Sequence, residues 1–155
     1  MKPLIEKLLG IAARINPYVQ SAVLLFLRIM IGWTFYLTGK GKLANFDRTT
    51  NFFTSLHIPA PAFHAGLVGG LEMVGGILIL LGLCTRLISV PLIFSMIVAY
   101  LTADREAFAS ISDFTDAAPF IYLCVTLVIL TFGPGKFALD ALIAKKFASS
   151  FLGGK

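Results

Sequence analysis

The stretch Phe26–Lys42 reads FLRIMIGWTFYLTGKGK. It belongs to an apolar run from Tyr18 to about Gly39, near the roughly 20 residues that cross a ~30 Å hydrocarbon core. Arg28 sits well inside that run. A guanidinium at the centre of a spanning helix costs roughly 2.5–3.5 kcal/mol on insertion scales, so such a residue normally faces other helices and has a partner there. The reading therefore turns on whether the rest of the chain is also a membrane protein and on what meets Arg28.

The composition answers the first question. Of 155 residues, 57% are hydrophobic and 14% charged, about half the charged share of a soluble domain. Mean hydropathy is +0.88. A soluble domain of this size would leave too much apolar surface in water. The formal net charge of +5 does not indicate nucleic acid, because no basic face interleaved with aromatics occurs. The cations flank apolar runs instead, which suits anionic headgroups. Cys84 and Cys124 form no CxxC pair and read as small packing residues. The first span reads as an uncleaved insertion signal, since Lys2, Glu6, Lys7 and Arg14 interrupt any clean leader.

Four spans are predicted, at about 18–39, 62–83, 87–103 and 117–132. They form an all-α, membrane-embedded four-helix bundle in a single domain covering residues 1–155. Short interfacial helices are expected at both termini. In the first, Leu4, Leu8, Ile11 and Ile15 share a face, with Glu6, Lys7 and Arg14 off it, and Pro17 is expected to end it. The second follows Gly133-Pro134-Gly135 and carries Lys136, Lys145, Lys146 and Lys155. Residues 40–61 form a connection with an IPAP turn, Cys84-Thr85-Arg86 a tight hairpin, and residues 102–116 an acidic loop. Lys and Arg number eight on the terminal and hairpin side against four on the other. The positive-inside tendency then puts both termini in the cytoplasm of a multi-pass inner-membrane protein.

Glu72, in GGLEMVGG (69–76), is the other ionisable residue deep in a span. Arg28 lies ten residues past Tyr18 and Glu72 eleven before Leu83, about 15 and 16 Å from one surface at 1.5 Å per residue. A buried Arg28–Glu72 pair is expected. Arg28, Gly32, Phe35, Tyr36, Gly39 and Lys42 share one polar, small and aromatic sector of the first helix. On the second, Gly66 and Gly70 form a GxxxG, with Gly69, Gly75 and Gly76 beside Glu72. These glycines either bring backbones together or leave room for a ligand. The pair either fixes helix docking or serves a site.

Other residues carry less. Lys40, Lys42 and Arg86 are expected to anchor helix ends in headgroups, with Lys42 alternatively reaching back to its own polar face. Asp116 and Asp140 sit where a carboxylate favours a helix N-terminus. His57 and His64 lack ligand-spaced neighbours, so no metal site is expected. Trp33, Tyr100 and Tyr122 read as packing or interfacial aromatics. No nucleotide-binding loop, hydrolase triad or haem-ligand spacing can be assembled, so no catalytic residue is assigned.

In their order and spacing, Arg28-x-x-x-Gly32, Gly39-x-x-Lys42, Glu72 before Gly75-Gly76, Leu83-x-x-Arg86 and Gly133-Pro-Gly-Lys136 with Asp140 resemble the DoxX family of small four-helix bacterial membrane proteins. The resemblance runs from about Ala22 to Leu142. It implies an accessory membrane partner of redox or oxidative-stress complexes, associated with quinone chemistry. The region of Arg28, Glu72, Tyr36 and Lys42 would then meet a quinone headgroup or handle its proton. No cofactor would be intrinsic, and electrons would come from another membrane or membrane-associated redox protein. Two other classes stay open, a non-enzymatic scaffold and a small transporter. Four spans leave little room for a conduit, so the transporter would need a homo-oligomer.

Overall fold

The computed structural model describes residues 2–152, with side chains described from 15 to 146. Among these residues the chain is helical and has no strand. The helices are α1 (Lys2–Ala44), α2 (Phe46–Ser55), α3 (Pro61–Leu81), α4 (Thr85–Thr102), α5 (Ile111–Asp116), α6 (Ala118–Phe132) and α7 (Leu139–Leu152), with a 3-10 turn at Arg105–Ala109 before α5. Three segments are long and apolar enough to cross a membrane: Ile15–Ala44, Pro61–Leu81 and Thr85–Thr102. The fourth expected span, α6, is apolar but has 15 residues, about 22 Å at 1.5 Å per residue.

Two antiparallel pairs, α1 with α3 and α4 with α6, carry most of the packing. Glycines set the first crossing. A Cβ on Gly76 would lie 2.5 Å from the Gly32 carbonyl, and one on Gly32 would lie 2.8 Å from that of Gly76. Seven residues along, Gly39 meets the Gly69 carbonyl and the Met73 backbone. Only hydrogen fits there, and close backbone approach replaces the hydrophobic drive that lipid cannot supply. The Gly66–Gly70 motif is not the crossing: a Cβ on Gly70 would meet nothing within 4 Å.

Ile31, Phe35, Ile79, Leu92, Met96 and Ile129 form the core, drawn from all four long helices. Buried beside them are Arg28, Glu72, Thr85, Ser89 and Thr126, while Phe26, Leu87 and Phe94 are exposed. Polar groups inside and large apolar groups outside is the distribution of a bundle surrounded by acyl chains.

Three expectations change here. Pro17 does not end a terminal helix; α1 runs through it. The proline lacks only one amide donor, and Ser21 Oγ gives its proton to the Pro17 carbonyl at 2.7 Å. The face built from Leu4, Leu8 and Ile11 against Glu6, Lys7 and Arg14 lies outside the described side chains, as does Lys155. Residues 40–61 hold α2, whose Thr49 and Phe53 are buried. Asp116 ends α5 and accepts a hydrogen bond from Ser112 Oγ, while Ala117 precedes α6.

Candidate functional site

Arg28 and Glu72 are both buried, at 1% and 2% exposure, but they do not pair. Arg28 gives its protons to carbonyl oxygens: Nε to Ile79 at 2.9 Å, Nη2 to Leu80 at 2.9 Å, and Nη1 to Pro134 at 2.8 Å and Phe137 at 3.0 Å. The first two belong to the last turn of α3, where helical carbonyls have no intrahelical donor. Gly82, at φ +71°, closes that turn by placing its own N–H on Ile79 and the next on Leu78. A guanidinium on a helix C-terminus also meets the negative end of the dipole. The hydrogen-bond partners of Arg28 are thus four carbonyls rather than the Glu72 carboxylate, with Asp140 the carboxylate whose charge it feels.

The expected pair failed on register. The glycine crossing sets Gly32 against Gly76, so Arg28 reaches Leu80, eight positions beyond Glu72. That is about 12 Å along the axis. Tyr18 and Leu83 do not mark one depth, because α1 continues well beyond the end of α3.

The same end of the bundle carries two more links of this kind. Asp140 Oδ1 and Oδ2 accept from the N–H groups of Cys84, at 3.0 Å, and Thr85, at 3.4 Å, while its own N–H donates to Gly82. Its carboxylate therefore sits at the start of α4 rather than serving only its own helix. Arg86 does not extend into headgroups alone; its Nη2 donates to the Thr131 carbonyl in the last turn of α6, against Gly133. Lys136 N donates to Ser21 Oγ, and its ammonium lies 4.2 Å from the Tyr18 ring. Gly133, Pro134 and Asp140 are thus parts of a latch that closes helix ends.

Glu72 has a different partner. Lys42 Nζ donates to both of its carboxylate oxygens. The lysine is 31% exposed and the glutamate 2%. Lys42 follows Gly39 by about one turn and α3 is close there, so its stem spans the crossing to the glutamate. Thr49 Oγ1 holds the Lys42 carbonyl at 3.1 Å, tying α2 to the pair. Tyr36 is not at this site; its ring lies tilted against Trp33, centroids 5.6 Å apart, with Lys40 above it at 5.9 Å.

The ion pair forms part of the wall of a cavity of about 700 Å³ between α2–α3 and α4–α6. The lining is mainly apolar: Phe52, Phe53 and Leu56 from α2, Leu67, Val68 and Leu71 from α3, and Phe94, Met96 and Val98 from α4. Few polar side chains reach it, among them Lys42, Glu72, Thr38, His64, Ser95 and Tyr122. The cavity extends from Glu72 to Thr102, Ala103 and Asp104 at the end of α4. Sequence reasoning found Lys42 and Glu72 but missed Ser95 and treated Tyr122 as packing. Ser95 was visible as the one serine in PLIFSMIVAYL, but only the hairpin register gives it a role.

The DoxX family profile matches residues 23–105, more than half of the chain. The chain belongs to the DoxX family. Relatives include a Bacillus subtilis protein named "Putative oxidoreductase CatD", 32% identical over 123 residues, covering 78% of this chain and 87% of the relative. An uncharacterized membrane protein of Mycobacterium tuberculosis is 31% identical over 134 residues, covering 77% and 80%. A Haemophilus influenzae protein is 28% identical over 134 residues, covering 80% and 85%. No solved structure matches the chain. The DoxX match takes in Arg28, Lys42, Glu72 and Ser95, but ends before Tyr122 and the latch around Gly133.

Proposed function

We propose that this DoxX protein binds a quinone in the cavity beside Lys42 and Glu72, as an accessory subunit of an inner-membrane redox or oxidative-stress complex. The observation that carries the reading is an ion pair, its glutamate buried and its lysine partly exposed, in the wall of a mainly apolar cavity lined by the long apolar helices. Ligand sites of about 300–1,000 Å³ with apolar walls and a few placed polar groups suit a ring with an apolar tail. The donor set also suits a quinone: Lys42 donates to a carbonyl oxygen, and Glu72 accepts from a reduced hydroxyl. A bound quinone supplies reversible two-electron chemistry, and a partner protein delivers the electrons. Glu72 and Lys42 orient the ring oxygen and hold or release its proton. The name of the Bacillus subtilis relative, which contains the word oxidoreductase, agrees with this reading. Arg28, closed on carbonyls, serves the fold. Both termini and the 84–86 hairpin lie on the cytoplasmic side, following the charge bias.

The test is gentle purification into nanodiscs with mass spectrometry of extracted lipid. Wild-type protein should retain quinone above the level in empty nanodiscs, and Glu72→Gln should lose it while keeping its helical circular dichroism. Equal quinone in empty discs, wild type and variant rejects the reading.

A further inference from the structure

We infer that Ser95 is a second ligand contact, on the wall opposite Lys42 and Glu72, and that the cavity selects rings carrying oxygens on two opposite sides. This rests on the quinone reading and deepens it. The register of α3 against α4 is the first support. A Cβ on Gly75 would lie 3.0 Å from Leu92, so these two residues sit side by side where the antiparallel helices meet. Glu72 is three residues earlier on α3, and Ser95 three residues later on α4. One α-helical turn in opposite chain directions brings them to one depth, to within a turn. Both line the same cavity.

The second support is the state of the hydroxyl. Serine and threonine within spanning helices usually donate to the carbonyl four residues back. Ser89, Thr102, Thr126 and Thr131 all do so here. Ser95 has the Pro91 carbonyl in the same relation but makes no hydrogen bond among the described residues. Its Oγ is left with both donor and acceptor capacity at the edge of an apolar space. The Tyr122 hydroxyl is likewise without a protein hydrogen bond among the described residues and lines the same space. A ring whose first oxygen meets Lys42 and Glu72 directs an oxygen on its far side toward α4. A ring with one oxygen engages the ion pair alone.

The test uses the full chain in nanodiscs, titrated with 2-methyl-1,4-naphthoquinone and with 1-tetralone, which lacks the second ring oxygen. Protein-free nanodiscs provide the partition blank. Wild type should bind the dione more tightly than the monoketone. Ser95→Ala should weaken the dione by about three- to tenfold, the effect of one neutral hydrogen bond. The same variant should leave 1-tetralone unchanged, and Ser95→Thr should restore dione binding. Dione binding unchanged in Ser95→Ala, or an equal loss for both ketones, overturns the role of Ser95 and leaves the quinone reading standing. Absence of saturable binding of either ketone to wild type overturns both.

Discussion

Arg28 and Glu72 are two buried charges with opposite physical roles. Arg28 holds four carbonyls, two of them at the end of α3. Arg28→Met would leave those oxygens without their donor, at about 1–3 kcal/mol for each one that stays buried and unpaired. We expect a drop of several kcal/mol, read as a large fall in melting temperature in detergent. Arg28→Lys should fall between, because an ammonium lacks the planar fork. Full stability in Arg28→Met would contradict the capping role. Glu72 and Lys42 behave as a pair. Removing one partner of a fully buried pair costs about 3–5 kcal/mol, and less is expected here because the lysine is 31% exposed. Lys42→Met with Glu72→Met should keep most of the melting temperature and lose quinone binding; retained binding would remove the pair from the site. The sequence made both charges visible, since each stands alone in an apolar run. It did not reveal their partners, because carbonyl ligands carry no sequence signal and because a shift of two turns exchanges one partner for another.

Among the helices, the α1–α3 crossing is the decisive contact, and its glycines are not equivalent. Gly76→Ala must push backbone against backbone, since its Cβ would lie 2.5 Å from both the Gly32 carbonyl and the Tyr36 amide nitrogen. Gly70→Ala meets open space and gains helix propensity of up to about 1 kcal/mol. Thermal melts should therefore diverge, with a clear loss for Gly76→Ala and no loss or a small gain for Gly70→Ala; equal losses would contradict the crossing. This register was legible in principle. Gly32 and Gly39 are spaced as Gly69 and Gly76 are, and an antiparallel match of those pairs places Arg28 near Leu80. Counting depth from the ends of apolar runs failed because α1 is much longer than its partner. Helix α2 was hidden for a different reason: its mixed polar sequence, FDRTTNFFTS, resembles a connection until the helix packs on α3, burying Phe53, and Thr49 finds Lys42.

The whole molecule separates into a latched end and an open end. At one end Arg28, Arg86 and Asp140 close the termini of α3, α6 and α4. Toward the other, α2 and the ends of α4 and α6 surround the cavity. The membrane class and the sequence of long helices followed from composition and run length, whereas the cavity arises only once two helix pairs are set against each other. In the proposed orientation, with the latched end cytoplasmic, the exposed Cys84 in its hairpin should label with a membrane-impermeant maleimide in inverted vesicles but not in intact spheroplasts, using Cys124→Ser to leave one thiol; the reverse pattern would invert the topology. In that orientation the part of the cavity lined by Thr102, Ala103 and Asp104 lies toward the opposite leaflet. The most direct measurement of the proposed quinone site is photolabelling with an azido-quinone in nanodiscs, with the modified peptides mapped by mass spectrometry. Labelling should concentrate on the cavity walls around Lys42, residues 64–72 and residues 94–103, and should be displaced by unlabelled quinone. Labelling spread over lipid-facing positions such as Trp33 and Leu87, with no displacement, would contradict the account.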